Sequence, residues 1–149
     1  MLHSTFRPGI CSIICMNILI VDDDPIIRRL LPAFCTMYSK ECTPLTAPNG
    51  EEALRIVASE RIDLILTDVE MPVMDGCELV ANVKKRYPNI KIIVMTGLKC
   101  DEVDKRLRAV GISQYIEKPF TALDLAMRLE SAVKNGYGKP IFGGASCFL

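Results

Sequence analysis

Leu66-Thr67-Asp68-Val69-Glu70-Met71-Pro72-Val73-Met74-Asp75-Gly76 opens on the end of an apolar run, Leu64 to Leu66, that stops abruptly at an acid. A Met-Pro pair and an Asp-Gly turn follow, and a helical pattern then begins with Leu79, Val80 and Val83. Asp68 therefore falls where a buried strand empties into a loop, the position at which open parallel sheets place their chemistry. Alone, such an acid reads equally well as a turn former or a helix cap. Its meaning depends on what else in the chain can reach it.

On either side of this stretch the sequence alternates between short strands and amphipathic helices. Asn17 to Val21 is apolar and branched, as a fully buried strand requires. Asp24-Pro25 is an N-cap with proline at the first helical position. Ile26, Ile27, Leu30, Leu31, Phe34, Met37 and Tyr38 follow at helical spacing, with Pro32 expected to kink or unwind that helix. Glu41 to Ala47 reads as a weaker strand, placed at a sheet edge by Pro44. Asn49 opens a second helix with inner face Ala53, Leu54, Ile56 and Val57. Asp63 to Thr67 is the third strand, and Asp75 caps a helix with Leu79, Val80, Val83 and Tyr87 inside. Lys91 to Met95 is a fourth strand closing on Thr96-Gly97, and a polar helix over 101–110 presents Val103, Leu107 and Val110. Gln114 to Glu117 is a fifth strand ending at Lys118-Pro119-Phe120. Thr121 to Asp124 is a capping box, with Leu125, Met127 at the margin, Leu129 and Val133 behind it. Five short strands alternating with five helices require a parallel sheet covered on both faces.

The whole chain sets bounds. Its 149 residues suffice for one domain, expected over 16–135, with 1–15 as an N-terminal extension (Met16 being a second candidate start) and 136–149 as a flexible tail. Eighteen basic residues balance eighteen acidic ones, so no nucleic-acid footprint and no basic membrane patch is visible. Seven cysteines at irregular spacing, without a secretory signal, read as reduced thiols in a cytoplasmic protein. Cys11 and Cys15 are half a metal site at most, since no second pair accompanies them and His3 is the single histidine. Cys147 lies one position too late for prenylation.

In a parallel sheet the C-terminal ends of all strands share one edge. Four of the five expected strands end on a functional group: Asp22-Asp23, Asp68, Thr96 and Lys118. Each alone has a bland reading as cap, turn or surface cation, but together they form a complementary set. Carboxylates a few ångströms apart repel by on the order of a few kcal/mol per pair near a surface. Either one binds a proton or a hard cation sits among them, and oxygen ligands of this kind suit Mg²⁺. Asp68 is then available as an oxygen nucleophile able to form an acyl phosphate. Lys118 and the Thr96 hydroxyl are the right types to meet the charge on a transferring phosphoryl group, and Gly97 leaves room for it.

Val21-Asp22-Asp23, Asp68 with Met71-Pro72 and Asp75-Gly76, Met95-Thr96-Gly97, and Lys118-Pro119-Phe120 resemble the receiver domain of bacterial response regulators over about residues 16–135. The resemblance implies a flavodoxin-like, doubly wound five-stranded sheet of order 2-1-3-4-5 with five helices. It implies that Asp68 accepts phosphate from a histidine kinase or histidine phosphotransfer protein in two-component signalling. It implies that Asp23, Asp68 and the main-chain carbonyl of Glu70 ligate Mg²⁺, with Asp22 acting through water, and that Thr96 and Lys118 bind phosphoryl oxygens. A cis Lys118-Pro119 bond is expected, and Tyr115 falls on the switch aromatic, turning inward as Thr96 moves and remodelling the fourth helix, fifth strand and fifth helix. The bland reading of Tyr115 is an edge-strand aromatic covering apolar surface.

Glu70 and Leu98 depart from the pattern, the first adding an acid beside the site and the second placing an apolar group just past Thr96-Gly97. About fourteen residues beyond 135 are too few for a helix-turn-helix, so the expected output is a partner protein or a phosphorelay, with no enzymatic turnover. Two alternatives stand beside this: a haloacid-dehalogenase-type phosphatase, suggested by Asp22-x-Asp24, and an interaction module that has the fold without using the site.

Overall fold

A computed structural model describes residues 16–135, with side chains through 132. The Cys11–Cys15 spacing, His3, the extension over 1–15, Cys147 and the tail all lie outside the described residues, as does the side chain of Val133. The elements run β1 (Met16–Val21), α1 (Pro25–Tyr38), β2 (Cys42–Ala47), α2 (Gly50–Ser59), β3 (Leu64–Asp68), α3 (Gly76–Arg86), β4 (Lys91–Thr96), α4 (Asp101–Ala109), β5 (Ile116–Glu117) and α5 (Ala122–Asn135). The strands form one parallel sheet in the order β2-β1-β3-β4-β5. β2 is an edge, where Pro44 deprives the sheet of no second ladder.

Alternation along the central strands splits the core in two. Leu19, Val21, Ile65, Ile92 and Val94 face Ala53, Val57, Leu79, Val80, Val83, Val103 and Leu107, which are among the buried residues of α2, α3 and α4. Ile18, Ile20, Leu64, Leu66, Ile93 and Met95 face Leu31 and Cys35 of α1 and Leu125 and Leu129 of α5. Helices thus cover both faces, and the strand ends are left open along one edge.

Caps fix where the helices begin. Asp24 accepts from the Ile26 N–H at 2.8 Å, and Asn49 from the Glu52 N–H at 2.9 Å. Asp75 and Glu78 form a reciprocal capping box on α3, as Thr121 and Asp124 do on α5.

The structure departs from expectation in α1 and in β5. Pro32 does not unwind α1, which is helical without interruption from Pro25 to Tyr38. The missing N–H costs one ladder bond, while Leu31 and Cys35, buried on either side of it, hold the helix on the sheet. The apolar residues of α1 are also too many for one face: Ile26, Leu30 and Met37 are exposed, forming a stripe rotated away from Ile27, Leu31 and Cys35. β5 is shorter than expected, because only Ile116 and Glu117 pair with Met95 and Thr96.

Candidate phosphoryl-acceptor site

β1, β3, β4 and β5 deliver Asp22-Asp23, Asp68, Thr96 and Lys118 to the same edge of the sheet. One carboxylate oxygen from each of Asp22, Asp23 and Asp68 lies within 4.8 Å of the other two. Lys118 Nζ donates to Asp22 Oδ2 at 2.7 Å and lies 3.4 Å from Asp68 Oδ1. Asp22 and Asp68 are buried, at 1% and 7% exposure, whereas Asp23 is exposed. The opening to the cluster is therefore on the Asp23 side.

Asp22 is held at every polar atom. Its Oδ1 accepts from the Asp24 N–H at 2.9 Å, its carbonyl from Arg28 at 2.8 Å, and its N–H donates to the Ala47 carbonyl at 3.2 Å. Sequence reasoning missed Arg28, whose one signal was its place one turn into α1, facing back toward the acids. Asp68 is fixed by its neighbours too: its Oδ1 accepts from the Val69 N–H at 3.0 Å. Gly76, which the sequence offers only as part of an Asp-Gly turn, has a further role. A Cβ there would come within 2.1 Å of the Asp68 carbonyl oxygen, so the Asp-Gly pair lets α3 start directly against the backbone of Asp68. The same construction at Gly97 meets nothing nearer than Lys118 Cβ at 4.0 Å, which leaves open space beside the site.

Burial pushes the Asp68 carboxyl up; Lys118 partly offsets this and Asp22 adds to it, for a value of about 6. The acid consequently holds a proton more readily than an exposed aspartate does. Burial opposes the charge on Lys118, but its hydrogen bond to Asp22 and the charges of Asp68 and Asp22 outweigh this and raise its affinity for the proton. Three hard carboxylate donors converging on one point fit a small divalent cation such as Mg²⁺.

The Thr96 hydroxyl is turned into its own loop, accepting from the Leu98 N–H at 3.1 Å and lying 3.2 Å from the Leu98 carbonyl. Glu70 is exposed, which selects the solvent-facing of its two readings, and Leu98 is exposed as well. The Lys118-Pro119 bond is cis. Tyr115 is half-buried against the core, and its hydroxyl donates to Asp104 of α4 at 2.6 Å. That bond, with burial and the nearby acids, raises the Tyr115 pKa to about 12.

The model of the response regulator receiver domain matches residues 18–130. The chain belongs to the response-regulator receiver family. As a receiver it is 38% identical over 119 residues to the probable transcriptional regulator ycf27 of Cyanidium caldarium, across 79% of this chain and 46% of that protein. It is 30% identical over 114 residues to the probable C4-dicarboxylate response regulator DctR of Bacillus subtilis, covering 76% of this chain and 50% of that one. The chain spans about half the length of these relatives. Among solved structures, a CheY-like receiver domain protein from Methanospirillum hungatei superposes with TM-score 0.73 at 29% identity, over 79% of this chain and 93% of that one. Chemotaxis protein CheY4 of Vibrio cholerae gives 0.70 at 32% identity, over 77% and 96%. The receiver family is phosphorylated by histidine kinases or phosphotransfer proteins and binds Mg²⁺ at its acidic pocket. No helix among the described residues is long and apolar enough to cross a membrane.

Proposed function

We propose that this receiver is a phosphorylation switch that takes a phosphoryl group on Asp68 from a phosphohistidine donor, a histidine kinase or phosphotransfer protein. The observation that carries the reading is the bridging of Asp22 and Asp68 by Lys118 within a cluster of three carboxylates. An Asp68 carboxylate oxygen attacks phosphorus, the phosphorus–nitrogen bond breaks, and the acyl phosphate forms as the donor imidazole leaves. Asp22, Asp23, Asp68 and the Glu70 carbonyl would hold Mg²⁺, which supplies charge neutralisation when bound. Lys118 donates to one phosphoryl oxygen. Thr96 meets another after giving up its contacts to Leu98, and Tyr115 turns inward behind it.

The receiver is an acceptor without turnover, and a partner protein or a relay reads its changed α4-β5-α5 surface. The net charge of zero argues against nucleic acid as the target. No disulfide joins the cysteines among the described residues, and the setting proposed is a reducing, cytoplasmic one.

Incubation with Mg²⁺ and acetyl phosphate, followed by intact-mass measurement, is expected to add one phosphoryl group to the wild-type chain and none to Asp68→Asn. Equal labelling of both would end this reading. Sustained turnover of a small phosphomonoester would favour the phosphatase alternative.

A further inference from the structure

Helix α4 follows directly on the loop that Thr96 is turned into, and it is weakly anchored by apolar contact. Only Val103 and Leu107 are buried along it, and Cys100, at its N-cap, makes no side-chain capping bond. The acids Asp101, Glu102 and Asp104 in its first turn and Arg106 and Arg108 in its last keep it helical through the dipole. Attraction to the dipole does not by itself fix where the helix sits. Polar ties reach it from both sides. On one side Arg106 pairs with Asp75, the cap of α3 at the end of the loop that starts at Asp68. On the other the Tyr115 hydroxyl bonds Asp104 at 2.6 Å.

We propose that Asp104 and Arg106 form a two-sided latch that holds α4 in its resting position and thereby opposes phosphoryl acceptance at Asp68. The inference rests on the proposed phosphorylation reading and deepens it. Neither residue touches the acidic cluster, and both are positioning residues. Arg106 acts through Asp75 on the loop that carries the acceptor. Asp104 acts through Tyr115, whose inward turn requires the hydroxyl to leave the carboxylate. Lys84 secures the other end of α4, donating from α3 to the Val110 and Gly111 carbonyls at 2.9 Å each. The body of α4 can therefore shift once the Asp104 and Arg106 ties are broken, while the chain just past the helix stays in place. A ligand that favours the swung state binds more tightly when the resting state is weakened, by the free energy of the ties removed.

The test titrates the full chain with beryllium fluoride and Mg²⁺ by calorimetry and follows α4 amide hydrogen exchange in parallel. Asp68-dependent binding by the wild-type chain is the baseline. Arg106→Ala and Asp104→Ala are each expected to bind roughly two- to fivefold tighter, with faster exchange across α4. The double variant gains more than either, and Arg106→Lys returns most of the way to wild type. Arg55→Ala, which removes ion pairs to Glu51 and Glu52 on α2, leaves affinity unchanged. Wild-type affinity in both alanine variants, or weaker binding, overturns the latch while leaving the acceptor reading intact. A wild-type chain with no Asp68-dependent binding overturns both.

Discussion

The acid end of β1 and β3 and the helix α4 adjoin one another and are held in opposite ways. At the acid end every polar atom of Asp22 has a partner, and the acceptor's own carbonyl leaves no space for a side chain at position 76. α4 has two buried side chains and ties that run through long, partly exposed groups. The phosphoryl transfer proposed for this site needs atoms kept in register, and the site is built on rigid strand ends, where small errors are costly. The element proposed to move belongs to the weakly anchored part of the fold, where opening is cheap. The contrast teaches that chemistry and response are separated by packing, although they lie within one small domain.

The sharpest way to break this comparison is Gly76→Ala. The added methyl drives into the backbone of Asp68, so unfolding in urea should register a loss of about 3 kcal/mol, the upper end of the usual overpacking cost. Gly97→Ala, on the loop leading to α4, should change stability by less than about 0.5 kcal/mol. Equal losses would mean that the two regions are equally tight.

A smaller effect is expected in the decay of the acyl phosphate. Glu70 and Leu98 flank the site from the acid side and the α4 side, and both are exposed. Glu70→Asn and Leu98→Glu should each alter the dephosphorylation rate severalfold, read by loss of phosphorylated mass over time, without preventing phosphorylation. Unchanged decay in both would exclude these positions from any role in admitting water.

Rigidity at the acid end also includes strain. Val73, 74% exposed, has φ +70 and sits at the apex of a three-residue turn closed by the Met74 N–H to the Pro72 carbonyl at 2.9 Å. This left-handed region is unfavourable for a β-branched residue. Val73→Gly should raise stability by about 1 kcal/mol. A lower melting temperature would show that the loop is relaxed as it stands.

The smallest effect concerns Asp75, where the two regions meet. Burial raises its pKa, but the Glu78 N–H and Arg106 outweigh this and hold it below the usual carboxylate value. A lowered native value means stability that is present above the unfolded pKa of about 4 and lost as pH falls through the native one. The advantage of wild type over Asp75→Asn should be under about 1 kcal/mol at pH 7, given the partial exposure, and should shrink below about pH 4. Melting curves across that range measure it, and a gap that widens in acid would reverse the sign.

Much of this was legible in the residues. Strand endings, caps and the alternation of short apolar runs with amphipathic segments are local, so Asp68, Asp22-Asp23, Thr96 and Lys118 could be assigned to one edge from order and polarity. The partners of Arg28, Asp104 and Arg106, and the backbone that Gly76 meets, could not, because how separate elements pack against one another decides each of them. Nor could the exposed stripe on α1 be told from the buried one, since Ile26 and Ile27 are chemically the same and only rotation about the helix axis separates them.

By itself, the order of residues determined a doubly wound sheet and the kinds of group gathered at its open edge, because strand period and helix capping act over a few neighbours. Tertiary structure alone decided that Lys118 sits closer to Asp22 than to Asp68, that Thr96 faces its own loop, and that Tyr115 is engaged with Asp104. Those choices are made by side chains meeting across separate elements, where burial and charge decide between partners that the linear chain leaves equally available.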